Sequence, residues 1–159
     1  MKIITIMKTA LAALATATIA TSVAPSAAAA YPIVGTLGST LQMTDTVGQV
    51  VLSWKVADLR PSSDTMPDFP VAGQVWEATA TVHAIQGSVT PAISQFNAVD
   101  PNQAAYRVLW QVAAPDSISG ATIPEGAEST GKIYFDVTGP PPTTVTMNNG
   151  IEDLMIWGP

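Results

Sequence analysis

Residues 73–85 read Gly-Gln-Val-Trp-Glu-Ala-Thr-Ala-Thr-Val-His-Ala-Ile. In steps of two, tryptophan, alanine and valine fall on one side of an extended chain, and glutamate, threonine and histidine fall on the other. Strand side chains alternate between faces, so this pattern predicts a long strand with one buried and one solvated face. A helix is disfavoured, because Trp76, Ala80 and His83 would share a helical face that has no apolar stripe. We expect the rest of the chain to close a core around this strand.

Shorter segments with the same alternation lie on both sides of the central strand, separated by Gly, Pro and Asn. After residue 30 no helical periodicity is visible. About eight short strands with turns between them indicate an all-β fold, and the uneven connections favour an antiparallel β-sandwich over a barrel. An Asn-Gly pair at residues 149–150 predicts a hairpin. The further strands are expected over residues 31–43, 50–57, 93–99, 106–112, 118–123, 132–137, 143–147 and 151–157.

Large aromatic residues are expected to fill the space between the two sheets. Each lies on the apolar side of its segment: Trp54, Trp76, Trp110 and Phe135. Residues 57–73 contain three prolines and are expected to form a long surface loop or a protected edge, because proline donates no hydrogen bond to a neighbouring strand.

The N-terminal segment has the pattern of a secretory signal peptide. Two lysines precede an apolar, alanine-rich run over residues 9–19, and an Ala-x-Ala pattern permits cleavage after Ala29 or after Ala30. The run is shorter than the ~20 residues needed to span a bilayer. We expect residues 1–29 to be the signal peptide and residues 30–159 to form one domain.

Charge and cysteine content exclude several classes of function. Downstream of the predicted signal peptide, four basic residues stand against twelve acidic ones, a net charge of −8. This balance disfavours nucleic acids and anionic membranes as partners at neutral pH. The chain has no cysteine, which excludes disulfides, a thiol nucleophile, a zinc–thiolate site and a lipidated N-terminal cysteine. We expect a free, monomeric protein that is secreted to the extracellular space.

Several blocks of sequence resemble one known group of proteins. They run from the predicted signal peptide to the C-terminus and lie at residues 44–52, 70–82, 106–110, 129–140 and 147–150. In these blocks the chain resembles the mycobacterial immunogenic secreted protein 63 family, a group of small exported antigens. The resemblance implies an immunoglobulin-like antiparallel sandwich, secretion and recognition by host immunity. It implies no enzymatic activity and no catalytic residues.

His83 is the first candidate for chemistry, because it is the one histidine of the chain and nucleophilic catalysis needs a base beside the hydroxyl. It is expected on the polar face of the central strand, together with Glu77. The two are six residues apart, roughly 20 Å along a strand, so they cannot touch. A catalytic partner would have to come from a neighbouring strand. The alternative is a hydrogen-bonded or solvated histidine without catalytic function.

Carboxylates and a tryptophan are the remaining candidates. Glu152 and Asp153 are adjacent, and neighbours on a strand point to opposite faces. Glu125 and Glu128 lie in a glycine-containing loop, where solvated charge is the alternative to acid–base chemistry. Asp64 and Asp68 share a loop without the spacing of a calcium site. Trp157 is expected either to pack in the core or at an edge, or to bind a sugar or protein while exposed. We therefore predict no catalytic, cofactor or metal site.

Two functional hypotheses follow from the sequence. The first is a secreted binding module that engages a host or cell-envelope protein. The alternative is an acid-triggered, membrane-active protein, because carboxyl and imidazole groups gain protons as the pH falls and the net negative charge is lost. A secreted hydrolase that depends on His83 is a more distant third.

Overall fold

The computed structural model describes residues 31–45, 47–66, 68–114 and 116–159. The predicted signal peptide, residues 1–29, lies outside the described residues. A single 3₁₀ turn, Ile93–Gln95, precedes the fifth strand. In chain order the strands are β1 (Ile33–Thr36), β2 (Thr40–Thr44), β3 (Val51–Pro61), β4 (Gln74–Gln86), β5 (Phe96–Val99), β6 (Ala105–Arg107), β7 (Glu128–Val137), β8 (Thr144–Asn148) and β9 (Asp153–Gly158).

These strands form two sheets that pack face to face. One has the order β1-β9-β8-β5-β6 and the other the order β2-β3-β4-β7. All pairs are antiparallel except β1 with β9, which run parallel. The hairpin predicted at Asn149-Gly150 joins β8 to β9. The all-β, antiparallel-rich sandwich that the sequence predicts is confirmed.

The central strand β4 behaves as its alternation predicts. It lies between β3 and β7 in the four-stranded sheet. Ala78, Ala80, Val82 and Ala84 are fully buried on its inner face. Small inward side chains leave room for large ones on the facing elements, since a protein interior is packed without voids. The aromatic rings supply that volume.

Aromatic residues from both sheets meet in the core. The ring centroid of Trp54 on β3 lies 4.9 Å from that of Phe96 on β5, edge to face. Trp157 on β9 is 6.1 Å from Phe96 on its other side. The indole N–H of Trp157 donates a hydrogen bond to the carbonyl of Ser39 at 3.0 Å, so its polar atom is satisfied although the side chain is fully buried. Of the two placements that the sequence left open for Trp157, the structure shows packing in the core and not exposure.

Strand β3 extends further than the sequence predicts. Of the two alternatives for residues 57–73, a surface loop or an edge, residues 57–61 form an edge, because they pair with β4 and have no partner in β2. A β-bulge lies between Ala57 and Arg60, where Asp58 adopts a φ of 56°. Beyond the bulge β3 pairs again with β4. Pro61 is the last residue of the strand, a position where the missing N–H costs no ladder bond. Cross-strand pairing with the long β4 outweighs the local turn signals.

The predicted strand over residues 106–112 is also wrong in its second half. Strand β6 ends at Arg107, and Val108 then forms an isolated bridge with Phe135 of the other sheet. The amide of Leu109 donates to the carbonyl of Tyr134 at 2.7 Å. The chain therefore crosses from one sheet to the other, and the alternation of faces breaks at this crossing. Trp110, expected between the sheets, is instead 58% exposed.

The segment after the crossing runs along the free edge of β7, where the amide of Lys132 donates to the carbonyl of Asp116 and the amide of Ile118 donates to the carbonyl of Lys132. The side chain of Ile118 packs into the core between the sheets. A strand predicted over residues 118–123 is absent from this described segment, in which Ser117 and Ile123 form isolated bridges with Lys132 and Val89. A Cβ on Gly131 would lie 2.5 Å from the Cα of Ile118. Glycine at this position of β7 therefore permits the segment to lie flat against the strand.

The same segment buries a second hydrophobic cluster, separate from the core between the sheets. We call it the outer cluster. Tyr134 points outward from β7 and is covered by the chain that follows β6, together with the loop between β3 and β4. The buried members are Leu109, Val112, Ala114 and Tyr134, and the partly buried members are Met66, Phe69 and Val75.

Candidate functional site

The outer face of the four-stranded sheet carries the polar and charged groups of interest. At one end it is covered by the outer cluster and by a network of charges. At the other end it is open to solvent. A cleft containing Trp110 lies where the covering segment meets the sheet.

The charge network, which we call the charge cluster, is centred on Glu77. This residue is 5% exposed. One of its carboxylate oxygens accepts a hydrogen bond from the Arg60 guanidinium, whose Nη2 lies 2.9 Å away. Its other oxygen accepts from the Ser62 hydroxyl at 2.6 Å and contacts the Lys132 ammonium at 3.1 Å. The members of the charge cluster are Arg60, Asp64, Glu77, Asp116 and Lys132.

Lys132 connects Glu77 to the covering loops. Its ammonium group lies 2.7 Å from Asp64 Oδ2 and 3.8 Å from Asp116 Oδ2. The Tyr134 hydroxyl donates to the same oxygen of Asp64 at 2.7 Å. The loop between β3 and β4 is thereby tied to β7, and the hydroxyl of the outer cluster's largest side chain is satisfied. The charge cluster therefore holds the outer cluster closed.

These contacts shift the pKa values of the groups in consistent directions. Burial opposes ionisation of Glu77, but hydrogen bonds from Ser62, Lys132 and Arg60 outweigh it and hold the pKa of Glu77 below its usual range. Hydrogen bonds from Lys132 and Tyr134 lower the pKa of Asp64. Hydrogen bonds to Asp64 and Glu77 raise the pKa of Lys132. Burial, then the hydrogen bond to Asp64, raises the pKa of Tyr134. All four residues are held in the charge states that the ion pairs need at neutral pH.

The Trp110 cleft has a volume of about 490 Å³, which is within the range of ligand-binding pockets, roughly 300–1,000 Å³. Leu109, Val112, Ile118 and Tyr134 line it, and these four side chains are buried. Trp110 lines it too, and it is the aromatic residue among the large apolar side chains that stay exposed in the described part of the chain. Ser94, Gln111 and Ser117 add polar groups to the lining. A cleft with one accessible indole and polar groups beside it is suited to binding an apolar group that has polar neighbours.

His83 lies at the open end of the same face. Its cross-strand partners are Ser53 on β3 and Glu128 on β7, and the three side chains share a shallow depression of about 310 Å³. The structure thus supplies the neighbouring-strand partners that a catalytic histidine requires. No hydrogen bond between described residues joins the three side chains, so the geometry does not activate the serine. We therefore assign no catalytic function to Ser53, His83 and Glu128.

The other sequence candidates are not brought together into sites. Asp153 accepts a hydrogen bond from the Asn148 side chain at 2.9 Å, while its neighbour Glu152 is exposed. Glu125 accepts from the amide of Gly87 at 2.8 Å, which fixes a turn. Asp68 is exposed and takes no part in the charge cluster that holds Asp64.

Neither a cluster of metal ligands nor a membrane-spanning helix occurs in residues 31–45, 47–66, 68–114 and 116–159. No group of three or more His, Cys, Asp or Glu residues that could hold a metal ion occurs there. Within the same ranges no helix has the length and apolar character needed to cross a membrane.

Sequence reasoning missed both the charge cluster and the Trp110 cleft. One signal for the cleft was available: Val108, Leu109 and Trp110 are three consecutive large apolar residues, which no single strand can place on one face. The charge cluster had a weaker signal. Glu77 and Lys132 are charged residues in otherwise uncharged parts of two strands, but their distance in the sequence hides the pairing.

The comparisons with known proteins agree with this architecture. The family model described as "Domain of unknown function (DUF1942)" matches residues 32–157. The chain belongs to this family. It is 69% identical to immunogenic protein MPB63 of Mycobacterium bovis over 159 residues, with 100% of both chains covered. The same values hold for immunogenic protein MPT63 of Mycobacterium tuberculosis.

A solved structure of the family supports the fold. The crystal structure of MPT63, a secreted protein from Mycobacterium tuberculosis, matches with a TM-score of 0.80 and 72% sequence identity. The match covers 82% of this chain and 100% of that chain. The resemblance to the mycobacterial immunogenic secreted protein 63 family is therefore confirmed, and this DUF1942 protein is one of a group of exported antigens. The names of this family, of the two relatives and of the solved structure mention no enzymatic activity.

Proposed function

We propose that the protein acts in the extracellular space, without enzymatic activity, as a binding module for a host or cell-envelope protein. The observation that carries this proposal is the Trp110 cleft. An exposed tryptophan in a preformed cleft that combines apolar and polar side chains has the character of a recognition hot spot. The cleft is lined by buried residues of the outer cluster, Leu109 and Tyr134, and of the core, Ile118 and Ile133, so little would have to be ordered on binding.

Charge and composition support the same proposal. With a net charge of −8 downstream of residue 29, the protein would be repelled by nucleic acids and anionic membranes at neutral pH. A protein surface with apolar and basic groups remains the fitting partner. The module acts as a monomer and needs no cofactor.

A binding assay on intact cells tests the proposal. The fluorescently labelled chain, residues 30–159, is titrated at neutral pH onto cultured host cells and onto mycobacterial cells. We expect saturable binding to one of them that excess unlabelled chain displaces and that protease treatment of the cells abolishes. Binding that is non-saturable on both, or that survives protease treatment, would contradict a protein partner.

The alternative is acid-triggered membrane action, and the charge cluster bears on it. Protonation of Glu77 and Asp64 would release the loop that covers the outer cluster and expose its apolar side chains. Because hydrogen bonds lower both pKa values, this release requires acid below their ordinary values of 4.5 and 3.8. Dye leakage from anionic lipid vesicles, stepped from about pH 7.5 to about pH 2 beside circular dichroism, tests it. Leakage together with a changed β signal would support this alternative, and intact vesicles throughout would contradict it.

A further inference from the structure

The Trp110 cleft has a chemical character that narrows the class of its ligand. We infer that it binds a short peptide segment of the partner protein, through one aromatic or branched aliphatic side chain flanked by lysine or arginine. This inference rests on the proposed function and specifies its site and its partner's chemistry.

An apolar anchor follows from the lining of the cleft. The side chains of Leu109, Val112 and Ile118 are buried, whereas the indole of Trp110 is 58% exposed. An inserted side chain would remove the indole from water while touching a surface that is already packed. Aromatic residues in such positions dominate binding at protein interfaces, because they bury a large area with few rotatable bonds.

Basic flanking residues follow from the charges at the cleft. Lys132 is the one charged residue among those that line it, and three carboxylates surround its ammonium group, those of Asp64, Glu77 and Asp116. With Arg60 included, the charge cluster holds two positive and three negative groups. Asp116, with a side chain 69% exposed, presents the excess negative charge to solvent. Asp116 does not itself line the cleft, but its contact with Lys132 is the longest of the three at 3.8 Å. A cationic side chain beside the anchor would meet the exposed carboxylate of Asp116 and leave the shorter ion pairs of Asp64 and Glu77 in place.

The lining fits a sugar less well. Sugar hydroxyls need several planar polar side chains around an aromatic platform. Among the residues that line the cleft, Gln111 is the one amide, and the ammonium of Lys132 is already engaged by carboxylates. Two further polar side chains of the lining, Ser94 and Ser117, are short hydroxyls, so no set of planar polar groups surrounds the indole to orient a sugar.

Selection from a random peptide display library tests the inference directly. The chain comprising residues 30–159 serves as bait, and a Trp110→Ser variant serves for counter-selection. We expect enriched peptides to share one aromatic or aliphatic anchor with adjacent Lys or Arg. Synthetic versions should bind at least tenfold more weakly to Trp110→Ser and a few-fold more weakly to Asp116→Asn, and should weaken with added salt.

A control variant and two spectroscopic measurements show whether lost binding comes from the cleft itself. Ile151 is 92% exposed, lies in the β8–β9 turn and does not line the cleft, so Ile151→Ser is the matched control and should bind like the unchanged chain. Circular dichroism checks that Trp110→Ser is folded. Binding of an enriched peptide should also move the tryptophan emission to shorter wavelength, because it removes the exposed indole from water.

Three outcomes would overturn the inference: no enriched peptide, enriched peptides that bind Trp110→Ser equally well, or peptides that are acidic. The cell-binding assay tests the proposed function independently of the peptide selection. Saturable, protease-sensitive binding to cells that does not depend on Trp110 would keep the binding module and remove the cleft as its site. Absence of both peptide binding and saturable cell binding would remove both.

Discussion

Replacement of Glu77 by glutamine tests how the charge cluster stabilises the fold. Glu77 is 5% exposed and is held by Arg60, Ser62 and Lys132. The Arg60 side chain is 62% exposed, so its ion pair contributes little. The two buried contacts of the carboxylate together contribute about 3 kcal/mol, since a hydrogen bond to a charged group contributes roughly 1.5–3 kcal/mol. Glutamine retains the shape and one neutral bond.

We therefore expect Glu77→Gln to lower the free energy of unfolding by about 2 kcal/mol at pH 7, with a fall in Tm of about 8 °C for a domain of this size. The assay is urea and thermal denaturation followed by circular dichroism. Glu128→Gln is the matched control: Glu128 is exposed, lies on β7 and faces His83. It should change the free energy of unfolding by less than about 0.5 kcal/mol.

The pH dependence of this difference has a definite sign. Hydrogen bonds hold the folded-state pKa of Glu77 below its ordinary value of 4.5. Its stabilising contribution is therefore complete above about pH 4.5 and is lost as the pH falls through the folded-state pKa. The gap between the unchanged chain and Glu77→Gln should narrow progressively as the pH falls below 4.5. A gap below about 0.5 kcal/mol at pH 7, or one that stays constant with pH, would refute this account of the cluster.

Three further substitutions have expected outcomes. Gly131→Ala should destabilise the fold by about 1–3 kcal/mol, because the new Cβ collides with the backbone of Ile118; hydrogen exchange at the Ile118 amide should accelerate, and an unchanged rate would contradict the close packing. Trp110→Ser should lower the free energy of unfolding by at most about 2 kcal/mol, because the indole is 58% exposed, and should shift the mean tryptophan emission to shorter wavelength; a larger loss would mean that this indole is packed. Trp157→Ala should cost about 3–5 kcal/mol by urea denaturation, because Trp157 is fully buried and bonded to Ser39; a cost below about 1 kcal/mol would show that the core tolerates the cavity.

The sequence predicts the sandwich well in segments where buried and exposed side chains alternate without interruption. In β4 every second residue from Ala78 to Ala84 is buried, as the alternation predicts. The period fails where the chain changes sheets. At Val108 the crossing is set by pairing with Phe135, which is distant in the sequence, so the outward turn of Trp110 could not be obtained from local alternation.

The candidate site was less predictable for the same physical reason. Asp64 appeared to be a loop carboxylate, and its role depends on Lys132 and Tyr134, about seventy residues away in the chain. Register between β4 and β7 brings these groups together, and register is fixed by the whole sheet. Single residues of the charge cluster carry no local signature of it.

Binding through the Trp110 cleft is tested most directly on cells, with three forms of the chain measured side by side. The labelled chain, Trp110→Ser and Ile151→Ser are titrated at neutral pH onto the cell type that shows saturable binding. We expect Trp110→Ser to lose at least tenfold in affinity, while Ile151→Ser, altered at a residue 92% exposed, binds as the unchanged chain does. Equal affinity of all three forms would contradict the assignment of the cleft as the binding site.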